Sequence, residues 1–202
     1  MNWFYKFISY LFHPVYVPFY GTVLYFYIFP HSQTTYQVQL ILSLIFIGTA
    51  LLPISFILLL KQFKLVESIQ IPSIKERRLP LLFFLFVAFM ATKLLSTYRY
   101  LPDLTIMFIG ISFVTLIAYI LITLRFKLSL HAASIGGIIG VVLALSKLYT
   151  MNLIILLSIL FLLAGLILTS RLQLKAHSTK EVYLGFLIGV LTQYGIFFYY
   201  SI

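Results

Sequence analysis

LTIMFIGISFVTLIAYILITL, Leu104 to Leu124, is 21 residues without a charged side chain. As a helix it covers about 31 Å, the thickness of a bilayer's hydrocarbon core. A water-soluble fold holds such a run only by enclosing it, and the rest of this chain has no means of doing so. Of 202 residues 62% are hydrophobic and 9% charged, against roughly 25% charged in a soluble domain, and mean hydropathy is +1.10. Working outward from 104–124, further apolar runs fall at 14–30, 38–60, 80–98, 131–149, 152–169 and 182–200. The fold class expected is all-α, a polytopic transmembrane helical bundle of about seven spans forming one domain over 1–202. Residues 1–13, with Trp3, Phe4, Tyr5 and Tyr10, lack a small-residue cleavage site and read as an interfacial aromatic segment, not a signal peptide.

The polar inventory excludes several chemistries. With no Cys there is no disulfide, thiolate zinc site or cysteine nucleophile. The four acids, Glu67, Glu76, Asp103 and Glu181, are too few for magnesium held on aspartate clusters. The formal charge of +10, in so apolar a chain, suits lipid headgroups or phosphate rather than nucleic acid. Of the 14 basic residues, Lys93, Arg99 and Lys147 fall on one side of the threading and the other 11 on the opposite side. The positive-inside rule makes the crowded side cytoplasmic, although a phosphate site would crowd one side in the same way. A bacterial inner (plasma) membrane is the expected location.

The loops after the second, fourth and sixth runs share a side, because an even number of crossings separates them. The first contains Lys75-Glu76-Arg77-Arg78-Leu79-Pro80, the second Arg125-Phe126-Lys127-Leu128-Ser129-Leu130-His131, and the third Ser170-Arg171 followed by His177, Ser178 and Glu181. Each leads into a helix whose N-terminus faces that side, near Pro80, His131 and Ser178 or Thr179. Helix N-termini joined by Arg and Lys favour a compact anion such as phosphate. Lys61–Arg78 reads as a short amphipathic element on the membrane surface. Gly136/Gly140 and Gly185/Gly189 are small-residue pairs that let the fifth and seventh helices approach closely. Pro53 is expected to kink the second.

In the third loop Ser170-Arg171, five residues, His177, three residues and Glu181 resembles the third signature of the type 2 phosphatidic acid phosphatase superfamily, Ser-Arg-x5-His-x3-Asp. Ser129-Leu130-His131 is similar to the end of the second signature, Pro-Ser-Gly-His, and Lys75 to Pro80 to the first. The resemblance covers roughly residues 75–185. Glu181 stands where the family has Asp, and Leu128 and Leu130 where it has Pro and Gly. The resemblance implies a PAP2-like core and metal-independent hydrolysis of a lipid phosphate or diphosphate, phosphatidate-like or polyprenyl. His177 would be the nucleophile and form a phosphohistidine. Glu181 would orient it, and His131 would be general acid and then general base. Lys75, Arg78, Ser129, Ser170 and Arg171 would bind the phosphate. No cofactor is implied. The partners expected are membrane lipids and a lipid-phosphate substrate, with no nucleic acid and with homo-oligomerisation open.

Other readings of the same residues stay open. Ser178-x-x-Glu181 is also a capping box, on which His177 lies outside the helix and does not pair with Glu181. Ser129 and His131 also fit an ordinary span boundary, and the Lys75–Arg78 run a grip on anionic headgroups. A metal site from His13, His131 and His177 has no support in the spacing. At the level of function, the alternatives are a catalytically impaired anionic-lipid binder or complex subunit, and a lipid-to-lipid phosphotransferase. Spans three to seven offer few mid-span polar residues, which argues against a transporter.

Overall fold

The structure, a computed structural model, describes residues 2–29, 31–67, 73–97 and 101–200. Arg99 of the basic count, and residues 68–72 of the expected amphipathic element, lie outside them. Among the described residues every regular element is helical: α1 Asn2–Leu11, a short 3-10 turn Pro14–Tyr16, α2 Val17–Ile28, α3 Thr35–Phe46, a π turn Ile47–Leu51, α4 Leu52–Gln62, α5 Arg78–Ser96, α6 Pro102–Thr123, α7 Leu130–Leu148, α8 Ile154–Gln173 and α9 Thr179–Tyr200. Within the 61–78 stretch Lys61 and Gln62 end α4, Arg78 begins α5, and the other described residues form turns and bends.

Among the described residues six helices are long and apolar enough to cross a membrane: Thr35–Gln62, Arg78–Ser96, Pro102–Thr123, Leu130–Leu148, Ile154–Gln173 and Thr179–Tyr200. They are consistent with an integral membrane protein. The run expected at 14–30 differs. Pro14 and Pro18 each suit only a first helical turn, so regular α-helix is confined to the 12 residues of α2, about 18 Å. Just before Pro53, where a kink is expected, the helix contains a π turn, in which the Leu52 N–H bonds Ile47 O and Thr49 Oγ1 donates to Ile45 O at 2.8 Å.

The chain divides into two compact units, Val15–Arg125 on the one hand and Met1–Pro14 with Phe126–Ile202 on the other. In the first, α5 and α6 form an antiparallel hairpin joined at Thr92 and Ser112, whose hydroxyls are 3.5 Å apart. Phe56 of α4 stacks on Phe83 of α5 at 4.0 Å, and Phe19 of α2 meets Phe46 of α3 edge-on at 5.2 Å.

The second unit is built round α7, two thirds of which is buried against at most a third of any other candidate span. Its partner is α9, and glycines decide the contact. A Cβ on Gly136 would collide with Phe186 O, one on Gly140 would stand 2.5 Å from Val190 O, one on Gly185 2.7 Å from Ser129 O, and one on Gly189 would collide with Ala133 O. Contacts rise together along both helices, so α7 and α9 run parallel, backbone against backbone, as the sequence pairs imply. In hydrocarbon, where burial of apolar side chains drives little, such proximity supplies the packing energy. α8 returns the chain between them and carries α1 on its far end.

Helices α4, α6, α7 and α8 each end with a left-handed residue that is not glycine, Lys64, Arg125, Thr150 and Lys175 at φ 57, 63, 51 and 51°. After α8 the Lys175 N–H bonds Leu172 O and the Ala176 N–H bonds Arg171 O, the paired closure of a Schellman turn. Three of the four carry positive charge at a negative helix end. The last of these turns delivers His177 to the start of α9.

Gly189→Ala is expected to destabilise by about 1–3 kcal/mol, because the methyl group meets backbone that cannot move aside. Gly165→Ala, with nothing within 4 Å of its Cβ, should leave stability unchanged or slightly raised. Melting midpoints in detergent compare the two; equal midpoints would contradict the contact.

Candidate functional site

The parallel start of α7 and α9 is tied by one backbone hydrogen bond, Ser129 N–H to Glu181 O at 3.2 Å. Lys127 adds a second tie, its Nζ donating to Ala176 O at 3.0 Å, next to His177. These links, the end of α8 and α1 bring the polar residues of the second and third loops to one end of the unit.

His177 is buried, with Nδ1 2.9 Å from Glu181 Oε2. A carboxylate oxygen accepts and does not donate, so Nδ1 carries a proton, and in the neutral ring Nε2 keeps its lone pair. The same Oε2 accepts the Ser178 N–H at 3.1 Å, while the Glu181 N–H donates to Ser178 Oγ at 3.4 Å. The capping box and the His–Glu pair therefore coexist. The expectation that one excludes the other fails, because one carboxylate oxygen has lone pairs for both donors.

His131, in the first turn of α7, is buried and has Nε2 3.0 Å from the backbone carbonyl of Ser9. A carbonyl likewise only accepts, which places this ring's proton on Nε2. Arg171 Nη1 donates to Ser9 Oγ at 2.7 Å, and the Ser9 and Ser170 hydroxyls are 3.4 Å apart. Ser170 Oγ donates to Ile167 O at 2.7 Å, within α8. Thus His131, Ser170 and Arg171 all meet at one residue of α1. Ser129, the extended residue that precedes α7, is fully buried, and its hydroxyl has no hydrogen-bond partner among the described residues.

The ring of His13 lies edge-on to His131, centroids 5.3 Å apart. Burial, and secondarily the charge of Arg171, lowers its pKa to about 4, so it is neutral at pH 7. Arg171, His13 and His177 are all electrostatic neighbours of His131. Among the described residues no three His, Cys, Asp or Glu side chains converge so as to hold a metal ion.

Of the eight residues singled out in the sequence, His131, His177, Glu181, Ser129, Ser170 and Arg171 belong to this unit and are joined in the ways just given. Lys75 and Arg78 are exposed and belong to the Val15–Arg125 unit, where the Arg78 N–H reaches Lys75 O at 3.4 Å as α5 begins. The sequence reading missed Ser9 and the tie made by Lys127, and had His13 only as a metal ligand. The sequence signal for Ser9 is slight, a hydroxyl on the inner face of an amphipathic segment. Compared with known proteins, the chain matches no family model, no curated protein and no solved structure.

The depressed pKa of His13 makes stability depend on pH. Between pH 6.5 and about 4 the unfolded chain binds a proton that the folded ring refuses, so stability falls as pH falls through that window. The melting midpoint of the wild type should drop more steeply between pH 7 and 4 than that of His13→Asn; parallel curves would contradict this environment for His13.

Proposed function

We propose that the protein is a metal-independent lipid phosphate phosphatase of the type 2 phosphatidic acid phosphatase kind. One observation carries the reading: Glu181 fixes the proton of His177 on Nδ1, leaving Nε2 as an unprotonated nucleophile at the end of the unit that also holds His131 and Arg171. The lone pair of Nε2 attacks phosphorus, the bond from phosphorus to the lipid oxygen breaks, and that oxygen leaves with the electron pair. His131 takes the proton of the incoming phosphate monoanion on Nδ1 and then gives the leaving oxygen its Nε2 proton. Neutral again, His131 takes a proton from water, whose oxygen displaces His177 and releases inorganic phosphate. Arg171, Ser170 and Ser129 hold the equatorial oxygens. Lys75 and Arg78 enter this site only through the resemblance of their loop to the first signature.

The PAP2-like core and the seventh crossing belong to the same proposal. Ser9 and His131 share a hydrogen bond and hence an end of their unit, so the chain between them crosses an even number of times. Three of the six candidate spans lie in that interval, which supports α2 and its leading 3-10 turn as a fourth. Together they reach about 24 Å, a shortfall that local thinning of the bilayer accommodates. The basic excess supports a site on the cytoplasmic face. Since the chain has no Cys, Lys180→Cys gives a single label at an exposed position; an impermeant thiol reagent should miss it in intact cells, and labelling there would overturn the assignment.

One rival has support in the sequence. Leu128 and Leu130 replace the Pro and Gly of the second signature, and Leu130 crowds the approach of a phosphate, which favours an anionic-lipid binder without turnover. Purified protein offered phosphatidate and polyprenyl phosphates in EDTA separates the readings. Release of phosphate is expected, lost in His177→Ala and reduced about 10²–10⁴-fold in His131→Ala. Equal rates in wild type and His177→Ala would remove the nucleophile, and tight binding without turnover on any lipid would establish the rival. Phosphate appearing only on an added lipid alcohol would mark a phosphotransferase.

A further inference from the structure

The N-terminal helix is unaccounted for by the reaction just described, yet one of its residues occupies the partners that reaction needs. Ser9 presents two oxygens: its hydroxyl takes the hydrogen bond of Arg171 at 2.7 Å and lies 3.4 Å from the Ser170 hydroxyl, and its carbonyl takes that of His131 at 3.0 Å. A phosphate would present its oxygens to the same three side chains. The carbonyl is available because it sits in the last turn of α1, where the His13 N–H turns to Tyr10 O instead.

We propose that Ser9 is an exchangeable occupant of the anion seat, and that α1 is a cover which a phosphate headgroup displaces as it enters. The inference rests on the reading of this end of the unit as a phosphate site.

Two features favour exchange. The buried Ser129 hydroxyl, two residues before His131, has no partner among the described residues, and a four-oxygen anion has one oxygen beyond the three bonds that Ser9 makes. A guanidinium also binds an anionic oxygen about twice as strongly as a neutral one. The cover itself is suited to moving. At 10 residues, α1 is shorter than the ~12–15 at which an isolated helix holds in water, so it depends on its docking to α8 and on lipid. Its outward face is aromatic, with Trp3, Phe7 and Tyr10 at 76%, 50% and 60% exposure and the first two rings stacked. Such a face belongs at the headgroup boundary, and there α1 can stay while Ser9 withdraws.

Trp3 is the only tryptophan of the chain, so its fluorescence reports α1 directly. The full-length protein in phosphatidylcholine nanodiscs would be titrated with orthovanadate, binding read by calorimetry and α1 by quenching of Trp3 with brominated lipid. Wild type should bind, with a change in quenching that saturates along with binding. Ser9→Ala, which removes the competing hydroxyl, should bind about 5-fold more tightly. Ser9→Asp, whose carboxylate pairs with Arg171, should bind about 10-fold or more weakly, while keeping the helical content and melting midpoint of a folded protein. Vanadate bound equally by all three with Trp3 unmoved would overturn the cover and leave the anion site standing. Failure of both wild type and Ser9→Ala to bind would overturn the site and the cover together.

Discussion

Close contact between the backbones of two parallel helices sets the geometry of the unit that holds the candidate site. Gly136 and Gly140 of α7 lie against carbonyls of α9, and Gly185 and Gly189 of α9 against carbonyls at and near the start of α7. Because the helices run parallel, they bring two N-termini, two positive dipole ends, to the same end of the unit. The bond from the Ser129 N–H to Glu181 O then fixes how far one start projects past the other. Leu or Val at these positions would push the axes apart, and the imidazoles of His131 and His177 would lose their common setting.

Given that setting, the protonation of the two rings follows from what each faces. His177 meets a carboxylate through Nδ1 and His131 a carbonyl through Nε2, and neither oxygen can donate. One ring therefore keeps its lone pair on Nε2 and the other its proton there. On the proposed reading these are the two forms in which attack on phosphorus and management of the leaving oxygen begin. Arg171 supplies the positive charge, and its bond to Ser9 links the same centre to α1.

Much of this was legible because membranes impose few options. Length and apolarity located the six candidate spans, and the four-residue spacing of small residues located the α7–α9 contact. The i, i+4 placement of His177 and Glu181 was legible too, but the sequence could not show that one oxygen serves both the imidazole and the helix cap. Runs of apolar residues report hydropathy and not helix length, so the shortness of α2 depends on where Pro14 and Pro18 allow a helix to start. The partners of Ser9 could not be read, since its bonds reach 122 and 162 residues along the chain and the local pattern marks only a hydroxyl on the inner face of α1. Lys75 and Arg78 matched a signature by order alone, and the structure sets them in a different unit.

The central claim is that Nε2 of His177 is a nucleophile toward phosphorus. Incubation with a ³²P-labelled lipid phosphate, quenched in alkali to preserve acid-labile adducts and followed by peptide mapping, tests it most directly. Label on His177 in the wild type, absent from His177→Ala and accumulating in His131→Ala where water is no longer activated, is the expected result. Steady phosphate release with no label on His177, or label on another residue, would contradict the account.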